Sequence, residues 1–116
     1  MASDMIPDPL ALSRAIQAGY DNQALTQVND HEVRLSVMTS HYAWHRHPDT
    51  DETFLAVEGD LIIDFEEGSA RLAPGQMFTV PRGRLHRPRP AAGRSVNLTF
   101  EKSGAVTEFA QPESAG

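Results

Sequence analysis

The chain contains no cysteine, a single tryptophan, and aromatic residues at only 7% of its positions. Without thiols it can build neither a disulfide framework nor a thiolate metal site, so any metal must be held by nitrogen and oxygen donors. No apolar run reaches the roughly 20 residues that span a bilayer, and no basic segment followed by an apolar one opens the chain. A soluble, cytoplasmic protein is therefore expected. Positive charge is also scarce: 10 basic residues face 16 acidic ones, for a net charge of −6. That balance disfavours nonspecific binding to nucleic acid or to anionic membranes. No helix-turn-helix segment is visible, so a self-contained transcription regulator is not expected either.

What remains is enough for one folded domain. At 116 residues with 40% apolar content the chain can bury a core, but it has no room for separate catalytic and regulatory domains. The charges it does carry are segregated. Half of the acidic residues lie between Asp49 and Glu67, and half of the basic ones between Arg82 and Arg94. Such stretches are read as complementary solvated faces, with an arginine-lined mouth for an anionic substrate as the alternative.

Three segments are expected: residues 1–21 as a lead and short helix, 22–101 as the main domain, and 102–116 as a tail. Met1 to Pro7 reads as a disordered lead. Asp8-Pro9 reads as an N-cap followed by proline at the first helical position, with Gly19 as the stop, giving a helix from about Pro9 to Ala18. From Asn22 the apolar period becomes two. Val33, Leu35 and Val37 alternate with Arg34 and Ser36, and Leu61, Ile63 and Phe65 alternate with Asp60, Ile62 and Asp64. Turn signals at Asn29-Asp30, Pro48-Asp49, Gly59-Asp60, Glu67-Gly68, Pro74-Gly75 and Arg82-Gly83 punctuate this pattern. Many short antiparallel strands follow, and hence an all-β sandwich or barrel. The segment from Lys102 reads as a tail, or as a strand that orders only against a partner subunit.

Chemistry concentrates in two patterns. His45 and His47 are two apart, so on a strand their side chains share a side, and Glu52 opens the next strand after a Pro48-Asp49 turn. His86 follows the turn residues Gly75, Pro81 and Gly83. Three imidazoles and one carboxylate suit a divalent ion of iron, manganese, nickel, zinc or copper. Four such ligands on a six-coordinate ion leave two positions for substrate, water or dioxygen. The expected cofactor is one divalent metal per chain, held by His45, His47, Glu52 and His86.

At these residues the chain resembles the cupin superfamily. The first cupin motif asks for two histidines separated by one residue, then three or four residues, a glutamate, six residues and a glycine; His45, His47, Glu52 and Gly59 meet it. The second motif is met by Gly75, Pro81, Gly83 and His86. Thr39 stands where the first motif begins with glycine, and Pro90 where the second ends with asparagine. The resemblance covers roughly residues 30 to 101. It implies a single-domain antiparallel jelly-roll (double-stranded β-helix) barrel, with the metal inside one end and usually a homodimer. The superfamily includes dioxygenases, isomerases, lyases and non-catalytic binders, so the fold does not choose among them.

Met38, Phe54, Phe78, Arg82 and Phe100 are the expected substrate pocket. Trp44 should pack behind the site, His41 at its rim, and His31 in solvent. No second carboxylate or lysine is evident as a general base. A metal-dependent enzyme acting on a small organic substrate is the leading reading, by oxygenase or isomerase/lyase chemistry. A binding or sensing module without turnover is its rival.

Overall fold

The computed structural model describes residues 6–113. Most of the expected disordered lead, Met1 to Met5, lies outside the described residues, as does the end of the tail. One helix and ten strands follow in order: α1 (Pro9–Ala15), β1 (Tyr20–Val28), β2 (His31–Met38), β3 (His45–Arg46), β4 (Glu52–Glu58), β5 (Leu61–Phe65), β6 (Gly68–Leu72), β7 (Met77–Val80), β8 (Arg87–Pro90), β9 (Ser95–Lys102) and β10 (Glu108–Phe109). No helix among the described residues is long and apolar enough to cross a membrane.

The helix starts as expected and stops early. The Asp8 carboxylate accepts from the Ala11 amide at 3.1 Å, and Pro9 follows it. It ends at Ala15, not Ala18, because Ile16 is already extended (φ −90, ψ 120). Arg94 donates to the carbonyls of Ser13 and Ile16, supplying partners that a further helical turn would otherwise provide. Ser13 is the buried residue of this helix, while Leu12 stays largely in solvent.

The strands form an antiparallel five-stranded sheet in the order β1-β2-β9-β4-β7, a three-stranded sheet β6-β5-β8, and a two-stranded pair β10-β3. This is the expected all-β double-stranded β-helix. All six turn signals fall between strands, with one shifted by a residue: the β5–β6 turn is Glu66-Glu67. Gly59 is required at its turn. Its φ is +75, and a Cβ there would lie 2.3 Å from the Arg94 carbonyl oxygen.

Two apolar clusters flank the large sheet. Met38, Phe54, Ala56, Leu61, Ile63 and Val80 are among the residues that fill the space between the sheets. Leu35, Val37 and Val96 form a second cluster with Ile16, Leu25 and Leu98 packed on it. The apolar parity of β2 therefore faces away from the barrel interior, and Arg34 and Ser36 face inward.

The segregated charges do meet as complementary faces. Arg82 lies 3.9 Å from Asp51 and Arg94 3.7 Å from Glu58, and Arg84 pairs with Glu67. Arg87 and Arg89 converge on the buried Asp64, with the shortest contacts 2.9 and 2.8 Å, and Ser69 donates to it at 2.7 Å. Burial alone would raise the Asp64 carboxyl, but the bonds from Arg89, Ser69 and Arg87 win and hold it at about 2. The basic stretch is thus structural.

The described residues after Lys102 are tied to their own chain. Strand β10 pairs with β3 of the same chain, Phe109 opposite His45. The Val106 amide donates to the Asp49 carboxylate at 3.1 Å.

Asp64→Asn should lower stability at pH 7 by about 2 kcal/mol, the worth of holding a carboxyl between one and two units below its unfolded value near 3.9. The sign follows from that depression: the contribution is full above the unfolded value and disappears as pH falls through about 2. Urea titrations of both proteins between pH 7 and 2 should show the difference narrowing toward acid. A constant difference would assign the loss to shape and not to charge.

Candidate metal centre

The two motifs meet through their backbones. His45 and His86 form an antiparallel bridge, with N–H···O distances of 3.0 and 2.9 Å in the two directions. The Gly83 amide donates to the His47 carbonyl at 2.8 Å, and the Arg82 amide to the Asp51 carboxylate at 2.8 Å. The Pro81-Arg82-Gly83 turn thus clamps the loop between His47 and Glu52. Glu52 is the first residue of β4. It lies close to two of the rings, its Oε1 3.3 Å from His47 Nε2 and 3.2 Å from His86 Nε2.

All four side chains are buried, and one donor atom from each lies within 4.8 Å of all the others. The rings are held in one orientation by a repeated device. His45 Nδ1 is 2.8 Å from the Ala43 carbonyl, His86 Nδ1 2.8 Å from the Arg84 carbonyl, and His47 Nδ1 2.9 Å from the Val106 carbonyl. A carbonyl only accepts, so each Nδ1 carries the proton and donates, which leaves Nε2 as the nitrogen for a ligand. Three nitrogens and a carboxylate oxygen converging in this way fit a divalent metal ion.

The electrostatics agree. Burial, with the neighbouring His86 ring, pushes His45 down to about 4, so it is a neutral donor at pH 7. Burial opposes charge on both His47 and Glu52, but their mutual bond outweighs it. His47 is raised to about 9, and Glu52 is held well below the usual carboxylate range. A metal ion must displace the His47 proton, so binding weakens as pH falls.

The cluster opens into a cavity of about 410 Å³, the low end of small-molecule sites. Met38 and Phe54 line it as expected from the sequence. Phe78, Arg82 and Phe100 do not. Phe78 packs against the interior core, 5.7 Å from the Phe65 ring, and Arg82 projects into solvent beside Asp51. Phe100 has the opposite strand parity to Thr99 and Glu101, which do line the cavity, so it points to the outer face. His31 is exposed, as expected, and bonds Asp30. His41 is exposed too and does not line the cavity. Trp44 does not line the cavity and lies under the Arg87 guanidinium, 5.1 Å away.

Sequence reasoning missed the polar wall. Glu32, Arg34 and Ser36 reach the cavity from β2, Thr99 and Glu101 from β9, and Tyr20 from β1. Glu101 lies against Glu52 and shares its hydrogen bond; burial and the Glu52 charge raise its carboxyl to about 8. A carboxyl that is not among the four clustered donors is therefore present, contrary to expectation. The available signal was parity: Glu32, Arg34 and Ser36 alternate with Val33, Leu35 and Val37.

Fold and site together define a double-stranded β-helix protein with three histidines and a glutamate able to hold a metal ion. The chain belongs to the Cupin domain family (Cupin_2), whose profile matches residues 31–98. It is 41% identical over 99 residues to the uncharacterized protein YdbB of Bacillus subtilis (strain 168), covering 84% of this chain and 87% of that one. Among solved structures it is similar to a cupin-2 domain containing protein from Shewanella frigidimarina: 26% identity, TM-score 0.77, with 84% of this chain and 94% of that one covered. A Neisseria meningitidis protein matches at 27% identity and TM-score 0.74, over 85% and 100% of the two chains.

His86→Ala should abolish metal retention while the protein stays folded, checked by elemental analysis after dialysis alongside circular dichroism. Removing residues 104–116 takes away the Val106 carbonyl that orients His47. Metal affinity should then fall by roughly 10- to 100-fold, the usual cost of losing such a support. Unchanged affinity in a chelator competition would show that β10 does not support the site.

Proposed function

We propose that the chain is a divalent-metal-dependent enzyme that acts on a small organic molecule by proton transfer, in isomerase or lyase chemistry. The observation that carries this reading is Glu101, a carboxyl outside the donor cluster that sits against Glu52 on the wall of the same cavity. His45, His47, Glu52 and His86 would hold the ion, which would supply Lewis-acid polarisation of a substrate oxygen. Glu101, whose carboxyl burial pushes up, lines the same cavity and would give a proton to, or take one from, a substrate in that space. The Tyr20 and Tyr42 hydroxyls, raised by burial, stay protonated and act as hydrogen-bond donors. Met38 and Phe54 exclude water on the other side. The expected homodimer is part of the proposal, since β1 and β7 are unpaired edges of the large sheet among the described residues.

The test starts from protein purified without a nickel resin, with its metal content measured. Candidate substrates are then incubated in D₂O and followed by NMR. Deuterium should wash into a substrate C–H position with wild type, and Glu101→Gln should slow this by about 100-fold or more while keeping the metal. Turnover coupled to dioxygen uptake would overturn the reading in favour of an oxygenase. A ligand held unchanged, with no wash-in, would favour a binder.

A further inference from the structure

The cavity wall built from β1, β2 and β9 describes a ligand. Arg34 is the single arginine or lysine side chain that lines it, and it is already bonded on two sides. Its Nε donates to Asn22 Oδ1 at 2.6 Å, and its Nη1 to the Glu32 carboxylate. Those two bonds use two of five N–H donors, and no other bond to the guanidinium is formed among the described residues. The outcome is a row of side chains, Asn22, Arg34 and Glu32, that offers donors and acceptors side by side.

Directly opposite Arg34 on β9 is Thr99. Its hydroxyl is buried and has no hydrogen-bond partner among the described residues, and its side chain lines the cavity. A buried polar atom left without a partner is rare and costly, which marks it as a group that a ligand completes. Near the rim, Tyr20 and Tyr42 are stacked at 5.3 Å between centroids and 27° between planes, and both line the same space.

We infer that this cavity takes a polyhydroxylated small molecule of about one sugar ring: a sugar or a polyol. This rests on the proposed metal site and names the substrate class for it. Each hydroxyl of such a molecule both donates and accepts, so neighbouring hydroxyls can give protons to Glu32 while taking them from Arg34. A third hydroxyl completes Thr99. The tyrosine rings offer an apolar surface to the C–H face of the ligand. A simple carboxylate fits less well. It has no proton to give to Glu32. A purely apolar ligand would leave the whole polar wall without partners.

The full chain, with metal content measured, is tested against free aldoses, ketoses and alditols. Size-matched aliphatic and aromatic monocarboxylates and simple alcohols serve as the comparison set. Saturation-transfer NMR finds binders and calorimetry measures them. At least one polyhydroxylated compound should bind, with its affinity reduced about tenfold or more in Arg34→Met and severalfold in Thr99→Val. Metal content should be unchanged in both variants. Thr99→Val separates recognition from folding, because removing an unpartnered buried hydroxyl should leave the melting temperature equal or higher while binding weakens. Glu32→Gln serves as a second probe of the same row if Arg34→Met fails to fold. Carboxylates binding in place of polyols, no polyhydroxylated binder at all, or affinity indifferent to these changes would overturn the inference. Polyol binding without deuterium wash-in defeats the proton-transfer reading alone. Wash-in confined to a substrate without hydroxyls defeats this one alone.

Discussion

Everything at the site depends on one short piece of antiparallel pairing, the bridge between His45 and His86. It joins residues forty-one apart in sequence and sets two imidazoles with ring centroids 4.3 Å apart. The Gly83 amide extends the pairing to His47, and the Arg82 amide ties down Asp51 just before Glu52. The motif glycine of the second pattern and the arginine before it therefore act on the first pattern, through their backbone amides. They hold a loop that would otherwise be free to move its carboxylate out of reach.

Placing that carboxylate inside is costly. Glu52 is buried, and an ionised group away from water must find partners or lose its charge. Here the protonated His47 donates to it from Nε2, and Glu101 lies against it. A divalent ion would meet the same requirement more strongly. The three Nδ1 bonds show how much of the chain is recruited to this end: the carbonyls come from residue 43, residue 84 and residue 106. The last belongs to the segment that closes over β3, which explains why it orders on its own chain. Its pairing with β3 and its hold on His47 are one structural feature.

How much of this was legible follows from where the information sits. The ligands were readable because His45 and His47 share strand parity and because both motifs are matched by spacing within a few residues. The strand register and turns were readable for a similar, local reason. The pocket was not. Phe100 and Phe78 are apolar residues on strands, and nothing in the alternation says which parity faces a cavity and which faces a second core. The helix end was hidden too, because Arg94 supplies it from far along the chain. So was β10, two residues whose pairing partner is a strand of equal brevity.

The second core explains the remaining surprise, that the polar parity of β2 turns inward. A sheet with solvent on its outer face must place its apolar residues inside. In this chain Ile16 and Leu25 pack on the outer face with Leu35, Val37 and Val96, so apolar residues there are buried without occupying the barrel. The inner parity is thereby released from core duty at one end. Glu32, Arg34 and Ser36 can face a cavity, while Met38, further along the same strand, still joins the interior core. One strand thus passes from cavity wall to core packing within four inward positions. Ile16, just past the short amino-terminal helix and remote from the metal ligands in sequence, helps to make that division possible.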